Sequence, residues 1–402
     1  MRRRAAAGRG RSAGCGAIGR EKDGRRVSVV RRAARRRWLM VIALVAALCS
    51  LPAVIAALPV AQSALGADAL RARIVASARS PYQGLVESRG ALGLPDLPGL
   101  SDVTGLLGST TRMRVWYDAP RRWRVDVITP TGERGVRQSG QDITIWDYER
   151  NFLTRLIGEP PVRLPRGSDL TPPELARRML AVAAPQDRLS ELPGRRVAGV
   201  SAAGLRLTPA DPTTTVGQVD VWADPASGLP VDVRISAKGG DRAVLLTHFL
   251  DLRQRRPDPS VMAISPPPGT PVIEAVAPDI VSRLSRFIEY RLPDRLANRP
   301  ALTVAGESTT VRAYGIGFSA FAVLPVPGRF GRRLVDAARE AGAREIEVAG
   351  PAGVPRAAGL VIRTPLLTTL AVTDMERTFL IAGPVTQELL VTAATQLITE
   401  PR

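Results

Sequence analysis

The stretch TRMRVWYDAPRRWRVDV, residues 111–127, alternates apolar and polar side chains with a period of two on both sides of Asp118-Ala119-Pro120. Met113, Val115 and Tyr117 share a face of the first segment, and Trp123, Val125 and Val127 share a face of the second. Arg114, Arg124 and Asp126 take the opposite faces. One-sided alternation of this kind is the pattern of antiparallel sheet packed through a single face. The stretch spends three large aromatics in a chain that is 4% aromatic, yet it holds no His, no Cys and no recognisable nucleophile.

The same period recurs along the chain. SPYQGLVESRGAL, QDITIWDYERN, VGQVDVWADPASG, LPVDVRISA and AVLLTHFLDL favour extended structure and are separated by Gly, Pro, Asn or Asp turn signals. Val219 joins Val221, and Val231 joins Val233 and Ile235, while Asp220, Asp232 and Arg234 read as a solvated side. DALRARIVASAR (68–79) reads as a helix with Asp68 as N-cap and Leu70, Ile74 and Val75 on one side. Thr171-Pro172-Pro173-Glu174 has the form of a capping box ahead of LARRMLAVAA. Both helices are expected to lie across the apolar sheet face.

A Pro-rich segment at 255–279 ends this part. Beyond it come a helix at 280–290, strands around TVRAYG and SAFAVLP, and a helix at 330–341. Strands around REIEVA, GLVIRT and LLTTLAV and a final helix in PVTQELLVTAATQLI complete a second, smaller α+β domain.

Net charge is +19, which first suggests a nucleic-acid partner. The distribution argues against one, because residues 1–37 hold fourteen Arg and Lys against Glu21 and Asp23. That tail precedes Trp38–Val60, 23 residues without a charge, long enough to span a bilayer as a helix. Arginines directly before the run place the N-terminus in the cytoplasm and the bulk of the chain outside the cell membrane, as a single-pass protein. An uncleaved anchor is the expectation. A cleaved signal peptide, with Ala64-Leu65-Gly66 as the small-x-small site, is the alternative. Cys49 invites a lipoprotein reading, which the bulky Leu48 before it opposes.

Catalytic groups are scarce. The two cysteines are Cys15 and Cys49, so the exported part has no disulfide and no thiolate ligand. His248 is the one histidine and reads as a satisfied strand residue. Gly8-Arg-Gly10 and Gly315-Ile-Gly317 lack the third glycine of a dinucleotide site and read as loops. Clustered carboxylates among Asp220, Asp224 and Asp232 would be the remaining route to an enzyme, and their alternation with valine favours a sheet face instead. No metal, cofactor or catalytic residue is assigned.

PYQGLVESRGALGLPDLP, TRMRVWYDAPRRWRVDV, the Trp146-Asp147 strand, VDVWADPASGLPVDV and ISPPPGTPV together resemble the LolA/RseB-like superfamily of envelope proteins, over about residues 68–273. The W-x-D-P-x-x-G-L-P element (Trp222, Asp224, Pro225, Gly228, Leu229, Pro230) is the most specific piece. The resemblance implies a curved, incomplete antiparallel β-barrel covered by helices, holding lipid or lipoprotein acyl chains and catalysing nothing. LPD, YGIGFSAFAVLPVP and FLIAGPVTQELLVTAATQL are similar to the smaller C-terminal domain of MucB/RseB-type sigma-E factor regulators. That second resemblance implies binding to the exported part of an anti-sigma factor and sensing of lipid-like envelope-stress signals. The tether and the Arg-rich tail depart from both patterns.

The resulting expectation is an α+β chain in four parts. These are a basic cytoplasmic tail (1–37), a transmembrane helix or signal anchor (38–60), a lipid-binding domain (68–273) and a smaller domain (279–402). Its apolar face is expected to bend around an unfilled space, with a filled core as the alternative. The ligand-lining residues on that face are Val115, Tyr117, Trp123, Val125, Ile145, Val221, Val231 and Val233. Sensing at the membrane is the first functional reading, and a tethered LolA-like lipid or lipoprotein carrier is the second.

Overall fold

The structure is a computed structural model that describes residues 37–46, 65–95, 101–158, 163–276, 290–302, 311–350, 357–374 and 377–399. The chain divides into two compact units, Met1–Pro59 and Val60–Arg402. In the first unit the described part is helix α1, residues 37–46, with Trp38, Leu39 and Ile42 exposed. Residues 47–60 of the expected span, the basic tail to residue 36 and the Gly8-Gly10 loop lie outside the described residues. Among the described residues no helix is long and apolar enough to cross a membrane.

The second unit opens with α2 (Ala67–Ala76), β1 (Tyr82–Gly90), α3 (Ser101–Gly108), β2 (Thr110–Ala119) and β3 (Arg122–Ile128). Next come β4 (Glu133–Ser139), β5 (Asp142–Asp147), β6 (Phe152–Ile157) and α4 (Pro172–Val182). Then follow β7 (Arg188–Val197), β8 (Val200–Thr208), β9 (Val216–Ala223), β10 (Pro230–Ala237), β11 (Ala243–Arg253) and β12 (Val272–Val276). These twelve strands form one sheet in the order β12-β6-β5-β4-β3-β2-β1-β11-β10-β9-β8-β7. Neighbours are antiparallel except β12 and β6, which run parallel. The order has two free ends, so the sheet is open rather than a closed barrel.

Alternation sets the register. Met113 pairs with Val127, Val115 with Val125 and Tyr117 with Trp123, so the six apolar positions of 111–127 lie on one face. Across the sheet Val221 pairs with both Val233 and Leu205. Helices α2 and α4 cover that face through Leu70, Ile74, Leu175, Ala176 and Leu180.

Both helix starts differ from expectation. Gly66, not Asp68, occupies the N-cap of α2, and its carbonyl accepts from Leu70 N at 3.0 Å. Val75 turns to solvent, because a helix of 3.6 residues per turn brings only Leu70 and Ile74 inward. Thr171 does stand before α4, but its hydroxyl donates to Ser168 O at 3.1 Å and Glu174 is held by Arg178 at 2.7 Å. The capping box is absent. Pro172 and Pro173, preset near helical φ, open the helix instead.

The smaller lobe contains β13 (Arg295–Leu296), β14 (Arg299–Leu302), β15 (Arg312–Tyr314), β16 (Phe321–Val326) and α5 (Gly328–Glu340). It ends with β17 (Arg344–Val348), β18 (Ala357–Arg363), β19 (Thr368–Asp374), β20 (Arg377–Gly383) and α6 (Gln387–Thr399). Its sheet order is β13-β14-β15-β16-β20-β19-β18-β17. Leu370 and Val372 of β19 face α6, where Leu390, Ala393 and Leu397 bury them, and Ala371 faces Ala338 of α5. This is an α+β lobe with helices on both sides of its sheet. Most of the helix expected at 280–290 lies outside the described residues.

Candidate functional site

Six of the eight expected ligand-lining residues, Val115, Tyr117, Val125, Val221, Val231 and Val233, lie in one buried cluster with the inner side chains of α2 and α4. Val221, Val231 and Val233 are 0% exposed. The unfilled space expected beneath the helices is occupied by Leu70, Ile74, Leu175, Ala176 and Leu180. The cause is area: apolar surface gains about 25 cal/mol for each Å² removed from water, and the chain's own helices supply the cover.

Trp123 and Ile145 sit elsewhere. Both are only partly buried, against a second, smaller cluster of Val136, Ile143 and Leu156 on β4, β5 and β6. Trp123 also packs on the main cluster, so its indole marks the seam between the two. Ala275 of β12 extends the smaller cluster, and the adjacent Ile273 is 49% exposed. The concave face therefore has a plugged half (β1, β2, the Val125–Val127 part of β3 and β8–β11) and a wing (β4–β6 and β12), with Trp123 of β3 between them.

Beneath α4 the plugged half carries a polar group that the alternation did not reveal. Tyr82 stacks on Tyr117 with ring centroids 4.9 Å apart, and Phe249 meets Tyr82 edge-on at 5.8 Å. Tyr117 donates its hydroxyl to Ala78 O at 2.6 Å, and the Arg177 guanidinium lies 6.0 Å from its ring centre. Burial pushes the hydroxyl pKa of both tyrosines up, so both remain protonated donors at neutral pH. Arg177 Nη1 is buried without a hydrogen-bond partner among the described residues. Tyr82 was legible only as the first residue of a strand, and Arg177 only as one of two adjacent helical arginines.

The opposite face corrects a second expectation. Asp126, Asp220 and Asp232 are buried, not solvated. Arg124 holds Asp126 at 2.6 Å, Arg206 holds Asp220 at 2.7 Å, and Arg195 and Arg234 hold Asp232 at 3.1 and 3.2 Å. Arg206 reaches from the neighbouring strand, Arg124 and Arg234 from two residues along the same strand and Arg195 from the edge strand β7, so carboxylates that read as exposed are covered by guanidinium stems. Glu87 is treated alike: a hydrogen bond from Arg112, joined by one from Arg89, outweighs its burial and holds its carboxyl below the usual range. Trp116, paired with Arg124 across β2 and β3, carries that guanidinium 5.2 Å from its ring centre.

His248 lies in register between Asp232 and Glu87. Burial lowers its pKa, and Nδ1 has no hydrogen-bond partner among the described residues, so it is less satisfied than expected. Among the described residues no group of three His, Cys, Asp or Glu is placed to hold a metal ion.

The W-x-D-P-x-x-G-L-P element acts as a clamp. The guanidiniums of Arg195 and Arg234 lie 4.7 and 5.2 Å from the ring centre of Trp222, which donates Nε1–H to Pro193 O at 3.0 Å. Asp224 accepts from Ala226 N at 3.0 Å and Ser227 Oγ at 2.8 Å, closing the turn. Gly228, at φ 72, lies so near α2 that a Cβ there would stand 2.2 Å from Arg73 O. Arg73 in turn donates to Pro225 O. The turn fastens α2 to the sheet.

No family model and no curated protein matches the chain. Among solved structures, it is similar to the complex of MucA and MucB from Pseudomonas aeruginosa, with 15% identity and a TM-score of 0.45, covering 84% of this chain and 98% of that one. It is similar to a crystal structure of MucB, with 16% identity and a TM-score of 0.41, covering 82% of this chain and 96% of that one. A LolA superfamily protein from Nitrosomonas europaea is similar at 14% identity and a TM-score of 0.23, covering 50% of this chain and 99% of that one.

Proposed function

We propose that this chain is a non-enzymatic, membrane-anchored extracytoplasmic protein that binds an acyl chain or another apolar ligand on the concave face of its larger sheet. It acts as an RseB-like sensor of envelope stress, and its partner is the exported domain of an anti-sigma factor, as the sequence resemblance of the smaller lobe implies. The anchor rests on the uncharged Trp38–Val60 run and the arginines before it.

The observation that carries the reading is Trp123. It packs on the filled cluster beneath α2 and α4 and on the smaller cluster of the wing, yet it stays partly exposed. An apolar chain laid on the wing would cover Trp123 and Ile145 and run up to the edge of the helical plug. Burial of about 100 Å² of apolar surface at this seam corresponds to roughly 2.5 kcal/mol. Deeper entry would require the ligand to take over contacts that α4 now makes.

The test is titration of the full chain with a fluorescent fatty acid. Trp123→Glu should bind at least about tenfold more weakly than the unaltered chain, since one lost apolar contact of about 1.4 kcal/mol is a factor of ten. Equal affinity in a folded Trp123→Glu chain would remove the wing as the site. Transfer of the bound probe to acceptor vesicles would identify a carrier in place of a sensor.

A further inference from the structure

The smaller lobe is joined to the larger one at the C-terminal end of the plug helix. Phe318, in the short turn Gly317–Ser319, is buried in the same cluster as Leu175, Ala176 and Leu180 of α4. Leu366, from the loop before β19, packs on that cluster too. Gly317, at φ 63, lies so close to the helix end that a Cβ there would stand 3.2 Å from Ala184 Cβ and 3.3 Å from Val182 O. The core of the larger lobe is thus completed by side chains of the smaller one.

Hydrogen bonds reinforce the join along residues 211–216. Thr214 bridges Val385 in antiparallel fashion, with Thr215 N donating to Pro384 O at 2.9 Å and Thr386 N to Thr213 O at 2.8 Å. Thr214 Oγ1 donates to Phe318 O at 2.7 Å, and Thr215 Oγ1 to Leu366 O at 2.8 Å, so the two inserted residues are held at their own carbonyls. Arg299 donates to Asp211 at 2.9 Å, Thr213 at 2.7 Å and Ser319 at 2.9 Å. Asp187 ties the helix end to this seam, accepting from Ala184 N at 2.8 Å and Ala210 N at 2.9 Å.

We propose that the smaller lobe is a latch on the plug helix: Phe318 and the 211–216 seam hold the end of α4 against the sheet, so that release of α4 and undocking of the smaller lobe are one event. Anything that lifts α4 loosens the smaller lobe, and anything that pulls on the smaller lobe loosens α4, because coupling free energies are reciprocal. An event at the concave face thereby reaches the surface of the smaller lobe without a separate relay. The latch does not depend on what the concave face binds.

Hydrogen–deuterium exchange in the full, ligand-free chain tests this. Phe318→Ala should speed exchange of the α4 amides at least about tenfold while strands β3–β5 exchange at their original rates. Reciprocally, Leu180→Ala should speed exchange in residues 317–326 and in 384–386. Where Phe318→Ala does not fold, Thr214→Val, which removes the hydroxyl bonds to Phe318 O and Pro384 O, should give the same pattern at smaller amplitude. An unchanged α4, or acceleration spread evenly over β3–β5 as well, overturns the latch.

Discussion

The two halves of the concave face come from the same alternation but meet different neighbours. On β1, β2, β8–β11 and the Val125–Val127 part of β3 the apolar side chains are closed over by α2 and α4 into one large cluster. On β4–β6 the same face ends in a small cluster, with Ile145 and, at its edge on β3, Trp123 partly open. Alternation alone therefore assigns a residue to a face and not to a core or a site. What decides between those outcomes is whether the chain can bring a helix over that part of the sheet.

Paired acid substitutions should separate the halves most strongly. Val233→Asp would bury a carboxylate with no partner among valines and leucines, costing about 5 kcal/mol or abolishing folding, whereas Ile145→Asp should cost at most about 2 kcal/mol. Urea unfolding of the two variants measures the contrast, and equal losses would erase the distinction between plug and wing. Acid substitution at Val125 or Val233 consequently probes folding, and Trp123 and Ile145 are the positions that probe binding.

The outer face behind the wing provides the next effect. Asp126→Ala should destabilise by about 3 kcal/mol, because it leaves Arg124 buried without its carboxylate. Arg124 also donates to Val261 O and Ala263 O, so the 261–263 segment should become protease-sensitive in the same variant. In the plugged half, Gly228→Ala should cost about 2 kcal/mol through strain at positive φ and collision with Arg73 O. The accompanying change should be faster exchange in α2 with the wing unaffected.

The smallest effect concerns pH at the seam. Burial pushes Asp211 up, but hydrogen bonds from Ser319, Thr213 and Arg299 outweigh it and hold its carboxyl well below the ordinary value. A depressed folded-state pKa contributes stability that is present above the unfolded value near 4 and is lost as pH falls through that value toward the folded one. Thermal unfolding should thus show a decline below about pH 4 that is shallower in Asp211→Asn.

Strands β2, β3, β9 and β10 were legible because valine, isoleucine and aromatics alternate with polar or charged residues, and β1, β5 and β11 because β-favouring residues lie between turn signals. Strand β4, ERGVRQS, was not: Val136 is its one apolar residue of the branched or aromatic kind, and its other side is covered from the 258–264 segment. Strand β7 was hidden by Pro193-Gly194, which an edge strand tolerates at the irregularity between Leu192 and Arg195. The eight residues expected to line a site share one face of the sheet, as their period implied. That six of them would be filled over depends on the reach of α2 and α4, a tertiary fact with no local signal. The buried acids were misread because period alone does not show an arginine folding over a carboxylate, whether from two residues along the strand, as Arg124 and Arg234 do, or from other strands, as Arg206 and Arg195 do.

Native mass spectrometry of the full chain, purified from membranes in mild detergent, reads directly whether the concave face carries an apolar ligand. A population carrying one lipid or acyl-chain mass is expected in the unaltered chain and is expected to be lost in Trp123→Glu. A chain that emerges free of lipid, or a Trp123→Glu variant that retains the same mass, would contradict that expectation.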